Sequence, residues 1–265
     1  MIADFELKGL KKELKRSKRA AFAEGTDRNL HWQWQTFFLF CTRFQYKPVP
    51  ASSETICLYA QFLSRSFKAV ESIRNYISGV RTLHHLLEVE FPSADNIDLK
   101  LALRGLARLN PHCPKQAEPL SPEILVQIWG LVDEKNVYHV VMWALTLVAF
   151  FTLSRKSNLV VTDKQFDSRK QLCRGDISLG TNGLLVTYRW TKTNQFGKVL
   201  EIPVLAIKGS VLCPWQAYLH MLDMVPAGKC DPAFCFPSKQ GVTPVTYNEL
   251  QNWIKGSVKK LGYNE

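Results

Sequence analysis

The chain has 265 residues, of which 46% are hydrophobic and 11% aromatic, enough apolar material for one large core or two ordinary ones. This composition excludes a disordered tail. The formal net charge of +11 favours a polyanionic partner such as nucleic acid, although a basic surface that is only solvated gives the same charge.

The cysteine pattern and the apolar runs indicate in which compartment of the cell the protein resides. Seven cysteines show no CxxC spacing and no HExxH motif occurs, so we expect buried thiols, no metal site and no cofactor. Charge replaces the apolar core of a signal peptide at the N-terminus, and the longest apolar run, residues 137–153, is short for a membrane span. We therefore expect a nuclear or otherwise intracellular protein with no membrane partner.

Residues 1–25 are predicted to form a basic helical arm. Its segment KKELKRSKR, residues 11–19, carries six basic residues. Such runs are usually solvated faces, but they also serve as nuclear-import or phosphate-contacting segments. The candidates for DNA contact on this arm are Lys11, Lys12, Lys15 and Arg16.

Residues 26–109 predict a compact helical domain. Apolar residues recur at helical spacing in four stretches, which begin near Thr26, Glu54, Ala69 and Leu99. Thr26 is also a preferred N-cap residue. Four or five short helices in about 110 residues are typical of a helical bundle.

Four arginines on the last two of these helices are further candidates for DNA contact. One pair is seven residues apart and the other is four apart, so the members of each pair share a helix face. They are Arg74 with Arg81, and Arg104 with Arg108.

A proline-rich segment separates this domain from the rest of the chain. Residues 110–122 contain four prolines and no apolar periodicity. We interpret residues 110–120 as a domain linker.

Residues 121–265 predict a second domain that mixes helices with a β-hairpin. An all-round apolar helix is expected from Val137 to about Arg155, which is typical of a helix buried at the centre of a domain. The period then changes to two in residues 184–190, and the turn-like TNQFG and the strand-like KVLEIPV follow. Two further helices are expected, one beginning at Pro214 and one over residues 243–261.

Two cations of this second domain could act on a phosphate. Arg155 follows the apolar helix, where a guanidinium could simply favour the helix dipole or could be held still to grip two phosphate oxygens. Lys192 lies at the predicted hairpin tip, where it could be an exposed turn lysine or could reach a phosphate and protonate a leaving oxygen. Lys156, beside Arg155, is a further candidate for DNA contact.

The order of these features resembles that of a tyrosine recombinase of the phage-integrase superfamily. The matching motifs are TLSRKSNL at residues 152–159, CRGDIS at residues 173–178 and WTKT at residues 190–193. The chain looks most like eukaryotic recombinases of DIRS-like or Crypton-like mobile elements. The resemblance implies a mainly α fold with a small β-hairpin or sheet, in which residues 26–109 form a SAM-like core-binding domain that clamps duplex DNA. It implies that residues 121–265 form part of an α+β catalytic domain.

The resemblance also implies roles for two residues. Arg155 matches the first catalytic arginine, which holds the scissile phosphate, and Lys192 matches the hairpin lysine. The family motif usually reads Thr-Gly-Leu-Arg-x-Ser-Glu-Leu, whereas this chain has Leu153, Ser154 and Asn158 at the glycine, leucine and glutamate positions. The amide of Asn158 could still accept a hydrogen bond from the arginine.

No second catalytic box follows. None of the six histidines precedes an arginine by three residues, and Tyr263 lies too early to match the family's nucleophilic tyrosine. Without that nucleophile no covalent intermediate forms, so we expect that this chain alone does not cleave DNA. We expect it to bind duplex DNA, and it could do so as a homo-oligomer.

Two other hypotheses stay open at this point. The chain could be a fragment of an active recombinase whose missing residues come from further C-terminal sequence or from a partner chain. It could instead be a relict interaction module whose basic arm binds RNA or an acidic protein.

Overall fold

The computed structural model describes residues 2–92, 96–113, 119–162, 165–192 and 198–263. This part of the chain is mainly helical with small antiparallel sheets, which confirms the predicted fold class. The chain divides into two compact units, Met1–Lys115 and Gln116–Glu265, and the division falls within the proline-rich segment. Residues 114–118 of that segment and the TNQFG turn at 193–197 lie outside the described residues.

The first unit is entirely helical where it is described. Its helices are α1 (Ile2–Ala20), α2 (Glu24–Phe44), α3 (Ser53–Leu63), α4 (Val70–Leu86) and α5 (Ile97–Leu109).

Two helix starts differ from the sequence prediction. Helix α2 begins at Glu24, ahead of Thr26, and Ala23 precedes it without any side-chain capping bond. An acidic residue in the first turn suits the positive end of the helix dipole, which favours the earlier start. Helix α5 begins at Ile97 because the side chain of Asn96 accepts a hydrogen bond from Leu99 N at 3.1 Å and caps it.

Aromatic side chains form the centre of the first unit. Tyr59 of α3 is fully buried and lies between Phe37 and Phe40 of α2, with ring centroids 5.0 and 5.2 Å away. Tilted and edge-on aromatic pairs at these distances add to the stabilisation that burial alone gives. The apolar stripes that the sequence showed on α2 and α3 are therefore the faces that pack together.

A buried histidine ties the loop before α3 to helix α4. Nε2 of His84 accepts a hydrogen bond from Ala51 N at 3.0 Å, and Nδ1 lies 2.8 Å from Val80 O. Since Nε2 accepts, Nδ1 carries the proton and donates to the carbonyl. His84 is thus a structural residue of the core.

The second unit mixes helices and strands. Its elements are α6 (Pro122–Trp129), α7 (Val137–Thr152), α8 (Lys156–Leu159), β1 (Ile177–Gly180), β2 (Gly183–Tyr188), β3 (Leu200–Leu205), α9 (Pro214–Met224), β4 (Cys235–Ser238), β5 (Gly241–Pro244) and α10 (Tyr247–Lys260).

The predicted hairpin is present as β2 and β3, with Val186 opposite Ile202, and β1 extends it to three antiparallel strands. The alternation in β2 places Val186 and Tyr188 on the buried face. The predicted helix over residues 243–261 was wrong at its start. Residues 241–244 pair with β4, and α10 starts only after Thr246, whose side chain accepts from Glu249 N in a capping box.

Helix α7 is the centre of the second unit. Residues 140–148 are all buried, and the helix contacts α9, β3 and β4. Burial on every side explains why its sequence is apolar all round. Among the described helices, none combines the length and the apolar character needed to cross a bilayer.

The close approach of α2 and α4 at Gly79 predicts whether a glycine-to-alanine substitution raises or lowers the stability of the protein. A Cβ at Gly79 of α4 would overlap Oε1 of buried Gln33 and lie 2.9 Å from its Cδ. Replacement Gly79→Ala should therefore destabilise the protein by about 1–3 kcal/mol despite alanine's better helix propensity. Urea unfolding followed by circular dichroism measures this effect.

Gly105 of α5 is the matched control, because a Cβ there meets nothing within 4 Å. Gly105→Ala should stabilise the protein by about 0.5–1 kcal/mol. Equal effects of the two substitutions would contradict the predicted contact between α2 and α4.

Candidate nucleic-acid interface

The sequence predicted that helix α7 runs to about Arg155, but the helix ends earlier. Arg155 instead precedes a new helix. Helix α7 stops at Thr152 because Leu153 adopts the left-handed conformation, with φ 50° and ψ 36°. Ser154 N then donates to Ala149 O at 3.2 Å, which closes the helix end in the manner of a Schellman motif. Arg155 follows in extended conformation as the N-cap of α8.

Three hydroxyl groups join the end of α7 to the end of strand β2. The Thr152 and Ser154 hydroxyl oxygens are 2.6 Å apart, and Tyr188 OH donates to Thr152 Oγ1 at 3.1 Å. Ser154 Oγ also hydrogen-bonds Tyr188 OH. The residue directly before Arg155 is therefore anchored to the sheet.

A second anchor lies one helical turn after Arg155. The amide Nδ2 of buried Asn158 donates to Trp190 O at 2.7 Å, and Asn158 O accepts from Leu172 N at 2.9 Å. The sequence left open that the Asn158 side chain accepts a hydrogen bond from Arg155; in the structure its amide donates to the chain that leads from β2 towards Lys192. Its role is to hold that segment in place.

The side chain of Arg155 stands exposed at one wall of a cavity of about 250 Å³. It makes no hydrogen bond or ion pair to any described residue. The hydroxyl-bearing residues Thr152, Ser154 and Tyr188 line the same cavity, and none of its described lining residues is acidic. An exposed guanidinium on an anchored backbone, without a competing carboxylate among the described lining residues, is suited to binding an oxyanion.

The other cations of the second unit have different surroundings. Lys192 is exposed after β2, and its neighbour Thr191 lines the Arg155 cavity. Lys156 holds its ammonium 3.4 Å from the centre of the Tyr247 ring, a cation–π contact that connects α8 to α10. Arg189 donates to Asp176 Oδ2 at 2.6 Å, so its charge is paired within the protein.

The candidates on helix α1 lie on an exposed helix. Residues 6–20 are all exposed and include seven basic and two acidic residues. Lys11, Lys12, Lys15 and Arg16 are within this stretch. The charge of α1 is therefore available to a partner.

The four arginines of α4 and α5 are not equivalent. Arg74 is exposed but lies 3.5 Å from Glu71, and Arg81 is half-buried with its guanidinium over the Phe91 ring at 5.4 Å. Arg104 and Arg108 of α5 are exposed. Arg81 is the weakest candidate for phosphate contact, because its packing serves the domain itself.

Neither Tyr188, which lines the Arg155 cavity, nor Tyr263 has an uncommitted hydroxyl. Burial raises the pKa of Tyr188, against the opposing effect of its hydrogen bonds to Ser154 and Thr152, so the phenol stays protonated at neutral pH. Tyr263 donates its hydroxyl to Gln127 Oε1 at 3.2 Å. Among the described residues, no three His, Cys, Asp or Glu side chains are grouped to hold a metal ion.

The hydrogen bond between Ser154 and Tyr188, which anchors the residue before Arg155, could not be found from the sequence. Ser154 stands where the family motif has leucine, and Tyr188 looked like one more apolar residue on the inward face of a strand. Ser154 and Tyr188 are 34 residues apart in sequence, and only the packing of α7 against the sheet brings their hydroxyls together.

The conformation of Leu153 predicts a stabilising substitution. A left-handed backbone costs a branched L-residue about 1 kcal/mol, and the Leu153 side chain is 89% exposed, so it contributes little packing. Leu153→Gly should stabilise the protein by about 0.5–1 kcal/mol, measured by urea unfolding. Leu153→Ala removes the same side chain but keeps the strain, so a similar gain from alanine would contradict the explanation.

The buried hydroxyl of Tyr188 predicts a pH-dependent effect. Tyr188→Phe should destabilise the protein by about 1 kcal/mol at neutral pH, because the phenol's hydrogen bonds are lost. A raised pKa in the folded state gives stability that is present at neutral pH and is lost as the pH rises through that pKa. The gap between wild type and variant should therefore narrow in urea unfolding series above a pH of about 10, and a constant gap would contradict this assignment.

Several solved structures match the chain, and one of them shows the extent of the likeness. No family profile matches the chain, and no curated protein matches it. The chain is similar to a structure described as the XerH site-specific recombinase bound to difH substrate in a pre-cleavage complex. The sequences are 13% identical, the match covers 89% of this chain and 79% of that one, and the TM-score is 0.40. The function is therefore argued from the residues of the site itself.

Proposed function

We propose that the chain binds duplex DNA through its backbone phosphates, with Arg155 holding one phosphate in the second unit. The motif order that resembles tyrosine recombinases, including those of DIRS-like or Crypton-like elements, supports a role in DNA recombination or integration. Lys192 would approach the same phosphate from the end of β2.

The observation that carries the proposal is the setting of Arg155. Its guanidinium is exposed, yet its backbone lies between two anchored residues, Ser154 and Asn158. An anchored backbone loses little conformational entropy on binding, and the planar fork of the guanidinium fits two phosphate oxygens. The hydroxyls of Thr152, Ser154 and Tyr188 are hydrogen-bonded to one another and to Val148 O, and no acidic residue among the described lining residues repels the anion.

The distribution of charge supports a long polyanion over a small one. Exposed cations on α1 and α5 belong to the first unit, whereas Arg155 and Lys192 belong to the second. A duplex offers phosphates along its whole length, so both units can contact the same molecule. Contacts of this kind position a protein on DNA and carry little sequence information.

The test is a binding titration of a fluorescently labelled duplex, measured by anisotropy. Arg155→Ala should weaken binding about 10-fold, because charge-assisted hydrogen bonds to a phosphate are lost. Arg155→Lys should give an intermediate loss, since the charge stays but the bidentate fork does not. Repeating the titration over a salt series should show a slope of log K against log salt that falls by about 0.9 in Arg155→Ala.

Lys239 is the matched control, because it is an exposed cation in the turn between β4 and β5 and Lys239→Ala changes the net charge equally. Equal losses from the two alanine variants would contradict a specific phosphate site at Arg155. Tighter binding of a matched RNA duplex than of DNA would favour the RNA-binding hypothesis instead.

A further inference from the structure

A second cavity of the unit Gln116–Glu265 has a different chemistry from the Arg155 cavity. It measures about 500 Å³ and lies among helices α6, α7 and α9, and it shares no described lining residue with the Arg155 cavity. Its volume is in the range of small-molecule sites. Nothing in the proposed DNA contact uses it.

Two indole rings line this cavity. Trp129, the last residue of α6, and Trp143 of buried α7 have ring centroids 5.3 Å apart and planes tilted by 42°. Val140 lies beside them. Trp143 is only 3% exposed and packs against Trp129, so the half-buried Trp129 ring is the indole that a guest can reach. Tryptophan is the side chain that binds cations most strongly through its ring.

The charge around the cavity is opposite to that of the chain. Glu134 lines it, whereas none of its described lining residues is a lysine or arginine, in a protein of net charge +11. Lys135 follows Glu134 in sequence but does not line the cavity. A carboxylate beside two indoles selects for a cationic guest and against an anionic one.

Both rims of the cavity are held in place before any ligand binds. On one rim, Nε2 of His220 donates to Glu134 O at 2.9 Å, and Asp133 N donates to His139 Nδ1 at 3.0 Å. On the other rim, Cys213 Sγ accepts from Ile207 N at 3.2 Å. A pre-formed site costs little ordering entropy on binding.

From these contacts we propose that the cavity binds an organic cation of the alkylammonium class, with the methylated ammonium against the exposed part of the Trp129 ring and Glu134 neutralising its charge. Such a group occurs on small molecules such as choline and on methylated lysine side chains of proteins. A compact, weakly hydrated ammonium with methyl groups satisfies both the apolar walls and the carboxylate.

The experiment is a calorimetric titration of the full chain with choline, with its uncharged tert-butyl analogue and with a short peptide that carries trimethyl-lysine. Choline should bind about 3- to 30-fold more tightly than the analogue of the same shape. Tighter binding of the peptide than of choline assigns the site to a protein side chain, and the reverse assigns it to a free small molecule. Absence of binding by both cations, or equal binding of the uncharged analogue, would overturn the proposal.

Two variants test the assignment of residues. Trp129→Leu keeps an apolar wall and should weaken choline binding about 3- to 30-fold. Glu134→Gln alters an exposed side chain, leaves the fold unaffected and should weaken binding about 2- to 5-fold. Glu201→Gln, an exposed site on β3 away from this cavity, is the control of equal charge change, and an effect equal to that of Glu134→Gln would contradict a role for Glu134.

Discussion

The burial of helix α7 is the constraint on which the second unit depends. Nine consecutive residues, 140–148, are buried on every side, and the helix contacts α9, β3 and β4. A helix enclosed in this way cannot rotate or shift without disrupting packing on all its faces. Its C-terminal end therefore has a defined position, and the residues that are hydrogen-bonded to that end are held in place as well.

The left-handed turn at Leu153 connects this buried helix to Arg155 at the protein surface. The turn redirects the chain, Ser154 binds the Thr152 and Tyr188 hydroxyls, and Arg155 emerges at the surface before α8. Asn158 then connects α8 to the segment after β2. The left-handed turn and the two polar anchors together fix the backbone from which the exposed Arg155 side chain reaches the wall of the cavity.

The two cavities of the second unit differ in the charge of their lining residues. The Arg155 cavity has hydroxyls and no described carboxylate, whereas the Trp129 cavity has Glu134 and no described lysine or arginine. Electrostatic complementarity of opposite sign discriminates between guests, because the wrong charge costs free energy at each site. A phosphate backbone and an organic cation could therefore be bound by the same unit without competing.

The sequence by itself determined the mainly helical class, most helices of both units and the hairpin of β2 and β3, because these depend on local periodicity. It also singled out Arg155. Only the tertiary structure decided where α7 ends, that residues 241–244 pair as a strand, and that Ser154, Tyr188 and Asn158 anchor the arginine. The end of α7 and the pairing of residues 241–244 depend on which local conformation the packed unit favours, and the anchoring hydrogen bonds join groups more than 30 residues apart, so neither leaves a periodic signal in the sequence.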